Sequence, residues 1–117
     1  SIALLTPADN GTTDAPSFKW TPVQPSRPGD GVTYRLRIVE LKGDQSPEEA
    51  YRTNRPILEK DYKNSSSVTL PGKTGFDTAK TYVWWVQALD DEGKGIGENE
   101  GRSAYATFKV TDTLPGK

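Results

Sequence analysis

The side chains that most enzymes use for catalysis are missing from this chain. It contains no His, no Cys and no Met. Ser-His-Asp chemistry, Cys-His chemistry, thiolate sites and most zinc sites are therefore excluded. Carboxylates remain, but a hydrolase needs two carboxyl groups that face each other across a cleft. The composition predicts a protein that is not an enzyme, with no catalytic residues and no cofactor.

Acidic residues cluster between positions 90 and 100, and clustered oxygen ligands can bind calcium. The cluster consists of Asp90, Asp91, Glu92, Glu98, Asn99 and Glu100. Its spacing does not match the Asp-x-Asp-x-Asp-Gly pattern of an EF-hand loop. We expect a solvated hairpin loop without a metal site, and a calcium-dependent adhesin domain stays the alternative.

A second group of residues has the chemistry of a contact surface, because Trp, Tyr and Arg are enriched at the centres of interfaces. The candidate partner-binding residues, on the outer face of one predicted sheet, are Trp85, Tyr105, Arg35 and Arg37. Aromatic rings also stack on sugars, so the expected partner is a protein or a glycan. The alternatives are that a short helix near residues 46–54 covers Trp85, using Tyr51 or Leu58, or that an Arg side chain lies over the indole.

The elements that must position these residues follow from hydrophobic alternation. Short alternating runs, separated by clusters of Pro, Gly, Asn and Asp, are typical of an all-β protein. We predict strands at residues 2–5, 17–21, 32–41, 56–60, 66–70, 81–90 and 103–110. A period of two turns one row of side chains toward a shared core. The principal members of that row are Phe18, Trp20, Tyr34, Leu36, Ile38, Tyr82, Trp84, Val86, Ala104 and Phe108.

One helix is predicted, at residues 46–54. Ser46 suits the N-cap, Pro47 suits the first helical position, and Glu49 completes a capping box. The helix has at most about two turns, so packing must hold it. The whole pattern predicts an all-β, seven-stranded antiparallel β-sandwich with this short helical insertion. We expect the domain to span residues 1–110 and residues 111–117 to be a linker tail.

The charge balance limits the classes of partner that we expect. The net charge is −1, from 15 basic and 16 acidic residues. Binding to nucleic acid needs a concentrated positive surface, which is not expected here. No stretch approaches the ~18 apolar residues of a membrane span. We therefore predict no nucleic acid partner, no membrane insertion and a monomeric isolated domain.

Four segments of the chain are similar to a known family, the fibronectin type III domains. The segments are Phe18-Lys-Trp20-Thr-Pro22, Tyr34-x-Leu36-x-Ile38, Tyr82-x-Trp84-x-Val86-x-Ala88 and Phe108-x-Val110. The resemblance implies that Trp20 packs across the sandwich and that Tyr82 forms a tyrosine corner. Phe76 stands where that corner usually has Leu, and Ala79 where the family often has Gly.

Residues 45–50 and 93–101 resemble repeats in large bacterial cell-surface and secretion-associated proteins. This second resemblance implies an extracellular or cell-envelope location, on the surface or in the periplasm. Together the two resemblances imply a non-catalytic structural or interaction module, a spacer or adhesion domain, of a larger protein. A carbohydrate-binding module is the other alternative to this function. It would use the aromatic residues Trp85 and Tyr105, together with Tyr51 or Tyr62.

Overall fold

The computed structural model describes residues 2–71 and 75–111, and within them the chain is mostly β, with two sheets and one α-helix. The strands are β1 (Leu4–Thr6), β2 (Gly11–Thr13), β3 (Ser17–Trp20), β4 (Thr33–Leu41), β5 (Leu58–Lys63), β6 (Ser67–Thr69), β7 (Thr81–Leu89) and β8 (Ala106–Val110). The helix α1 spans Pro47–Thr53, and a 3-10 turn spans Glu98–Gly101. Apart from Thr111, the predicted linker tail lies outside the described residues.

The prediction of a mostly β fold with a short helix is confirmed, but the prediction of seven antiparallel strands was wrong. The described residues form eight strands, in a three-stranded sheet of order β1-β3-β6 and a five-stranded sheet of order β2-β8-β7-β4-β5. The additional strand is β2, which pairs with β8 in parallel, with Gly11 opposite Phe108. Its sequence, Gly-Thr-Thr, has no large apolar residue and so shows no alternation to detect.

Two strands differ most from their predicted bounds. β5 begins and ends later than the predicted 56–60, because its ladder with β4 runs from Leu58, opposite Ile38, to Lys63, opposite Thr33. β8 begins at Ala106 rather than at residue 103. Ala104 was predicted to face inward but is exposed. The preceding residues follow the tight turn at Gly101 and pair with β7 only through an isolated bridge between Arg102 and Gln87, so the continuous ladder begins at Ala106.

The core lies between the two sheets and contains several aromatic rings that contact one another. Phe18 of β3 is fully buried, with its ring centroid 5.0 Å from that of Trp84 in β7. Trp20 lies 5.7 Å from Tyr34 of β4, again between ring centroids. Each such pair adds about 0.5–1.5 kcal/mol beyond the burial of its area. The inward rows of β3, β4 and β7 are therefore confirmed, including the inward position of Trp84.

The two ends of the described chain lie at opposite ends of β7. Lys109, close to the C-terminal end, lies opposite Thr81, the first residue of β7. Ile2 lines a cavity beside Ile96 at the other end. There the Ile96 N–H donates to the Ala88 carbonyl, near the last residue of β7. The chain thus enters at one pole of the protein and leaves at the other.

Candidate functional site

The helix α1 owes its start to local capping. The Ser46 hydroxyl accepts a hydrogen bond of 3.1 Å from the Glu49 backbone N–H, and Pro47 occupies the first turn. Glu48 and Glu49 lie at the positive end of the helix dipole, where acidic side chains stabilise a helix. The helix has seven residues. A helix this short does not persist alone, so tertiary contacts must hold it.

Asn54 supplies the polar part of those contacts. Its Nδ2 donates to the Glu40 carbonyl of β4 at 2.7 Å and to Gln45 Oε1 at 2.8 Å. In return Gln45 Nε2 donates to Asn54 Oδ1 at 2.8 Å. This reciprocal pair of amides ties both flanks of α1 to the five-stranded sheet. The helix is therefore fixed over the outer face of that sheet.

Trp85 lies beneath the helix. It is 5% exposed, and it shares a second apolar cluster, separate from the core between the sheets, with Val39, Ala50 and Val83. The Tyr51 ring covers it edge-on, at 4.6 Å between centroids and 76° between planes, and lies 5.2 Å from the Tyr105 ring. Trp85 is thus the floor of the outer face. Of the alternatives predicted from the sequence, the helix covers Trp85 through the Tyr51 ring. Leu58 instead packs on the core between the sheets.

Tyr105 is partly buried at the side of this cluster. Burial raises the pKa of its phenol, and the nearby Glu48 carboxylate of α1 raises it further. Both effects disfavour the phenolate, since one removes water and the other adds like charge. Tyr105 therefore stays a neutral hydrogen-bonding group beside α1 over the physiological pH range.

The two candidate arginines are engaged with β5. Arg35 donates two hydrogen bonds to the Asp61 carboxylate, at 2.8 and 3.0 Å, and these bonds hold the pKa of Asp61 below its ordinary value. Arg37 donates from Nε to Glu59 at 2.7 Å. Both guanidinium groups therefore act as cross-strand partners on the outer face of the sheet.

Arg37 also extends a hydrogen-bond chain across the sheet. It donates to Gln87 Oε1 of β7 at 3.1 Å, and Gln87 Nε2 donates to the Glu100 carbonyl at 2.9 Å. Gln87 is itself buried, so this chain is partly shielded from water. The chain ties β5, β4 and β7 to the 3-10 turn.

The 3-10 turn has an unusual backbone, because two of its non-glycine residues, Asn99 and Glu100, lie in the left-handed region of positive φ. Asn adopts that region more readily than other non-glycine residues, whereas it costs Glu100 roughly 1–2 kcal/mol. The following Gly101 also has positive φ, and it packs so closely on β7 that a Cβ atom would collide with the Ala88 carbonyl oxygen. Backbone strain of this kind is concentrated at functional sites.

A groove runs between α1 and this turn. It consists of two adjoining concavities that share Tyr51 and Arg102. The one beside Trp85 has a volume of 210 Å³. The one beside the 3-10 turn has a volume of 320 Å³. We call this surface the outer-face groove and define it by Tyr51, Trp85, Arg37, Asn99, Glu100 and Arg102.

The floor of the outer-face groove holds a polar atom without a partner. The Trp85 Nε1 atom is buried and has no hydrogen-bond partner among the described residues. Trp85 and Arg37 of the predicted contact group belong to the groove, whereas Arg35 and Tyr105 do not line it. The structure thus brings together only part of that group.

Arg102 was not predicted as a site residue. The glycines at 93, 95, 97 and 101 signalled a loop rich in turns, and all but Gly95 have positive φ. No pattern in the sequence showed that this loop folds toward Tyr51. The groove was missed because it forms between two segments that are far apart in the chain.

The acidic loop is organised around Asp90. Its Oδ1 accepts hydrogen bonds from the backbone N–H groups of Lys94 and Glu92, both at 2.8 Å. These two bonds lower the pKa of Asp90, and the bond from Lys94 has the larger effect. In the part of the chain that the structure describes, no three acidic side chains are grouped so as to hold a metal ion. The Asp90 carboxylate thus serves the backbone of its own hairpin.

The chain matches no protein-family model, and no curated protein is significantly similar to it. None of the helices within residues 2–71 and 75–111 is long and apolar enough to cross a membrane. Function must therefore be inferred from the arrangement of the residues themselves.

Proposed function

We propose that this protein is a fibronectin type III-like sandwich that acts as a non-catalytic spacer or adhesion module of a larger extracellular or cell-envelope protein. One observation carries the proposal: the described part of the chain begins at one pole and ends at the other, and β8, the last strand within it, is paired in parallel with β2. Modules of this shape can be strung in series, and each one adds its own length.

The family assignment within this proposal is supported by the surroundings of Tyr82. Its hydroxyl accepts a hydrogen bond of 2.7 Å from the Asp77 backbone N–H, five residues upstream. That bond has the form of a tyrosine corner. The Phe76 ring lies edge-on to Tyr82 with centroids 5.1 Å apart, so Phe fills the place where Leu is usual. Trp20, buried between the sheets, is the second residue with the expected position.

The spacer role is supported by how β2 and β8 would respond to tension. Because the strands are parallel, pulling on the two ends of the chain drives them in opposite directions along their common axis. All their hydrogen bonds are then loaded together, rather than one after another.

Several polar contacts reinforce this pair of strands. The Asp9 carboxylate accepts from the Thr107 N–H at 2.8 Å and from its hydroxyl at 3.1 Å. The Asn10 N–H donates to the Thr107 carbonyl at 2.8 Å, and the Thr111 N–H donates to the Thr13 carbonyl at 2.9 Å. The contact between the entering and the leaving segment thus extends past both ends of the short β2 ladder.

Single-molecule force measurements test this role. The protein is pulled through its two ends and, separately, through a Cys introduced at exposed Ala15 and the C-terminal end; the sequence has no other Cys. The second geometry pulls β2 and β8 apart from one pole, so their bonds open in sequence. We expect a several-fold higher unfolding force in the first geometry. Equal forces in the two geometries would rule out a load-bearing spacer.

A further inference from the structure

We propose that the outer-face groove binds the terminal residue of a neutral oligosaccharide. This inference goes beyond the spacer role, and it does not depend on how β2 and β8 respond to force. It also differs from a glycan surface built on Trp85 and Tyr105, because Trp85 is covered.

The aromatic component of the groove is Tyr51, which lines both concavities. Its ring is held in place by Trp85 below and by Tyr105 beside it. The Asn54 amide fixes the helix that carries it. An aromatic ring that is already ordered loses little entropy when a sugar packs its C–H groups on it, and such preorganisation favours binding.

The polar components are planar groups of balanced charge. Arg102 lies 3.5 Å from the Glu100 carboxylate, and Arg37 is paired with Glu59 at 2.7 Å. The Asn99 amide makes no side-chain hydrogen bond with the described residues. Guanidinium, carboxylate and amide groups offer donors and acceptors side by side, and each sugar hydroxyl is both a donor and an acceptor. This set therefore matches neighbouring hydroxyls on one sugar ring.

The charge balance distinguishes a neutral ligand from an acidic one. A carboxylate or sulfate in the groove would lie beside Glu100, and each guanidinium already has a carboxylate partner. Repulsion between like charges would oppose such a ligand. A neutral sugar can instead share the hydrogen bonds of both ion pairs without displacing either carboxylate.

Two further observations favour a ligand over a bare surface. Glu100 keeps a strained backbone at the rim. The two concavities adjoin through Tyr51 and Arg102, and their joint size suits the terminal residue of a chain better than a fully enclosed ligand.

A glycan array followed by calorimetric titration tests the proposal. The array carries neutral, sialylated and uronic-acid oligosaccharides together with acidic peptides, and the best neutral oligosaccharide is then titrated. Two variants probe the rim: Asn99→Gly removes the amide but suits the left-handed backbone, and Arg102→Gln removes the guanidinium. The matched control is Arg27→Gln, since Arg27 forms a comparable exposed pair with Asp30 at 3.4 Å in another loop.

We expect binding to neutral oligosaccharides only. Arg102→Gln should weaken it about tenfold or more, as for loss of a hydrogen bond to a charged group, and Asn99→Gly about fivefold, as for loss of a neutral hydrogen bond. Arg27→Gln should bind like the wild type, and all four proteins should melt at similar temperatures. Three outcomes overturn the proposal: no neutral oligosaccharide binds, acidic glycans or peptides are preferred, or both rim variants retain wild-type affinity.

Discussion

Replacing Tyr51 with Ala should separate the helix from the sheet that it covers. The substitution removes two ring contacts, to Trp85 at 4.6 Å and to Tyr105 at 5.2 Å. Each contact of this kind adds about 0.5–1.5 kcal/mol beyond area burial. The substitution also removes part of the packing on which so short a helix depends. We expect the free energy of unfolding to fall by about 2–3 kcal/mol, below the usual cost for a fully buried aromatic residue, because Tyr51 is only partly buried.

Urea unfolding followed by tryptophan fluorescence measures both the stability of the protein and the exposure of Trp85 to solvent. Of the three Trp residues, Trp20 and Trp84 are buried between the sheets, so new exposure to solvent would report on Trp85. Its emission should shift to longer wavelength, and acrylamide should quench it more strongly. Arg52→Ala is the matched control, because Arg52 is an exposed residue of the same helix and lies 4.0 Å from Glu48. It should change stability by no more than about 0.5 kcal/mol.

Either of two results would contradict the role of Tyr51 in holding α1 and covering Trp85. If Tyr51→Ala costs less than about 0.5 kcal/mol, as a surface substitution does, the ring contacts do not hold the helix. If Trp85 is quenched equally in wild type and variant, the indole is not covered by Tyr51. Either result would also remove the preordered ring from the outer-face groove.

Three other substitutions test separate parts of the fold. Trp20→Ala should lower the free energy of unfolding by about 3–5 kcal/mol, as large deletions in a core do. A loss below about 1 kcal/mol would mean that Trp20 does not lie in the core. Asp61→Asn should cost at most about 1 kcal/mol at neutral pH, because its pair with Arg35 is exposed. The pKa of Asp61 is lowered in the folded state, so its contribution is present above pH 3.8 and is lost as pH falls further. The Asp61→Asn variant should therefore lose less stability than the wild type as the pH falls, and identical pH profiles would contradict this. Gly101→Ala should be destabilised in thermal melts, because φ is positive there and the Ala88 carbonyl oxygen occupies the Cβ position; an unchanged melting temperature would mean that the turn does not pack on β7.

The core could be predicted from the sequence because its signal is local. β4 and β7 each have nine residues, long enough for alternation to identify their inward rows. The helix was predictable for the same reason, since Ser46 and Pro47 mark its start. Such patterns depend only on neighbours along the chain, and the tertiary structure agrees with them.

The outer face was less predictable because it depends on contacts between distant segments. The Asn54 side chain reaches the Glu40 carbonyl, and no periodic pattern reports such a bond. β2 was missed because a Gly-Thr-Thr strand is held by β8, near the other end of the chain. One signal was available: Glu59 and Asp61 repeat at the spacing of two that separates Arg35 from Arg37, as expected for cross-strand ion pairs.

The proposed spacer role depends on the chain entering and leaving at opposite poles. Spin labels on Cys residues introduced at exposed Ala3 and Lys109 allow that separation to be measured by pulsed electron resonance. The labelled sites are separated by most of β7, at a rise of about 3.3 Å per residue, and by the spacing of two sheets, about 10 Å. We predict a single distance distribution centred near or above about 25 Å. A distribution centred below about 15 Å would place both ends at one pole and contradict the proposed spacer.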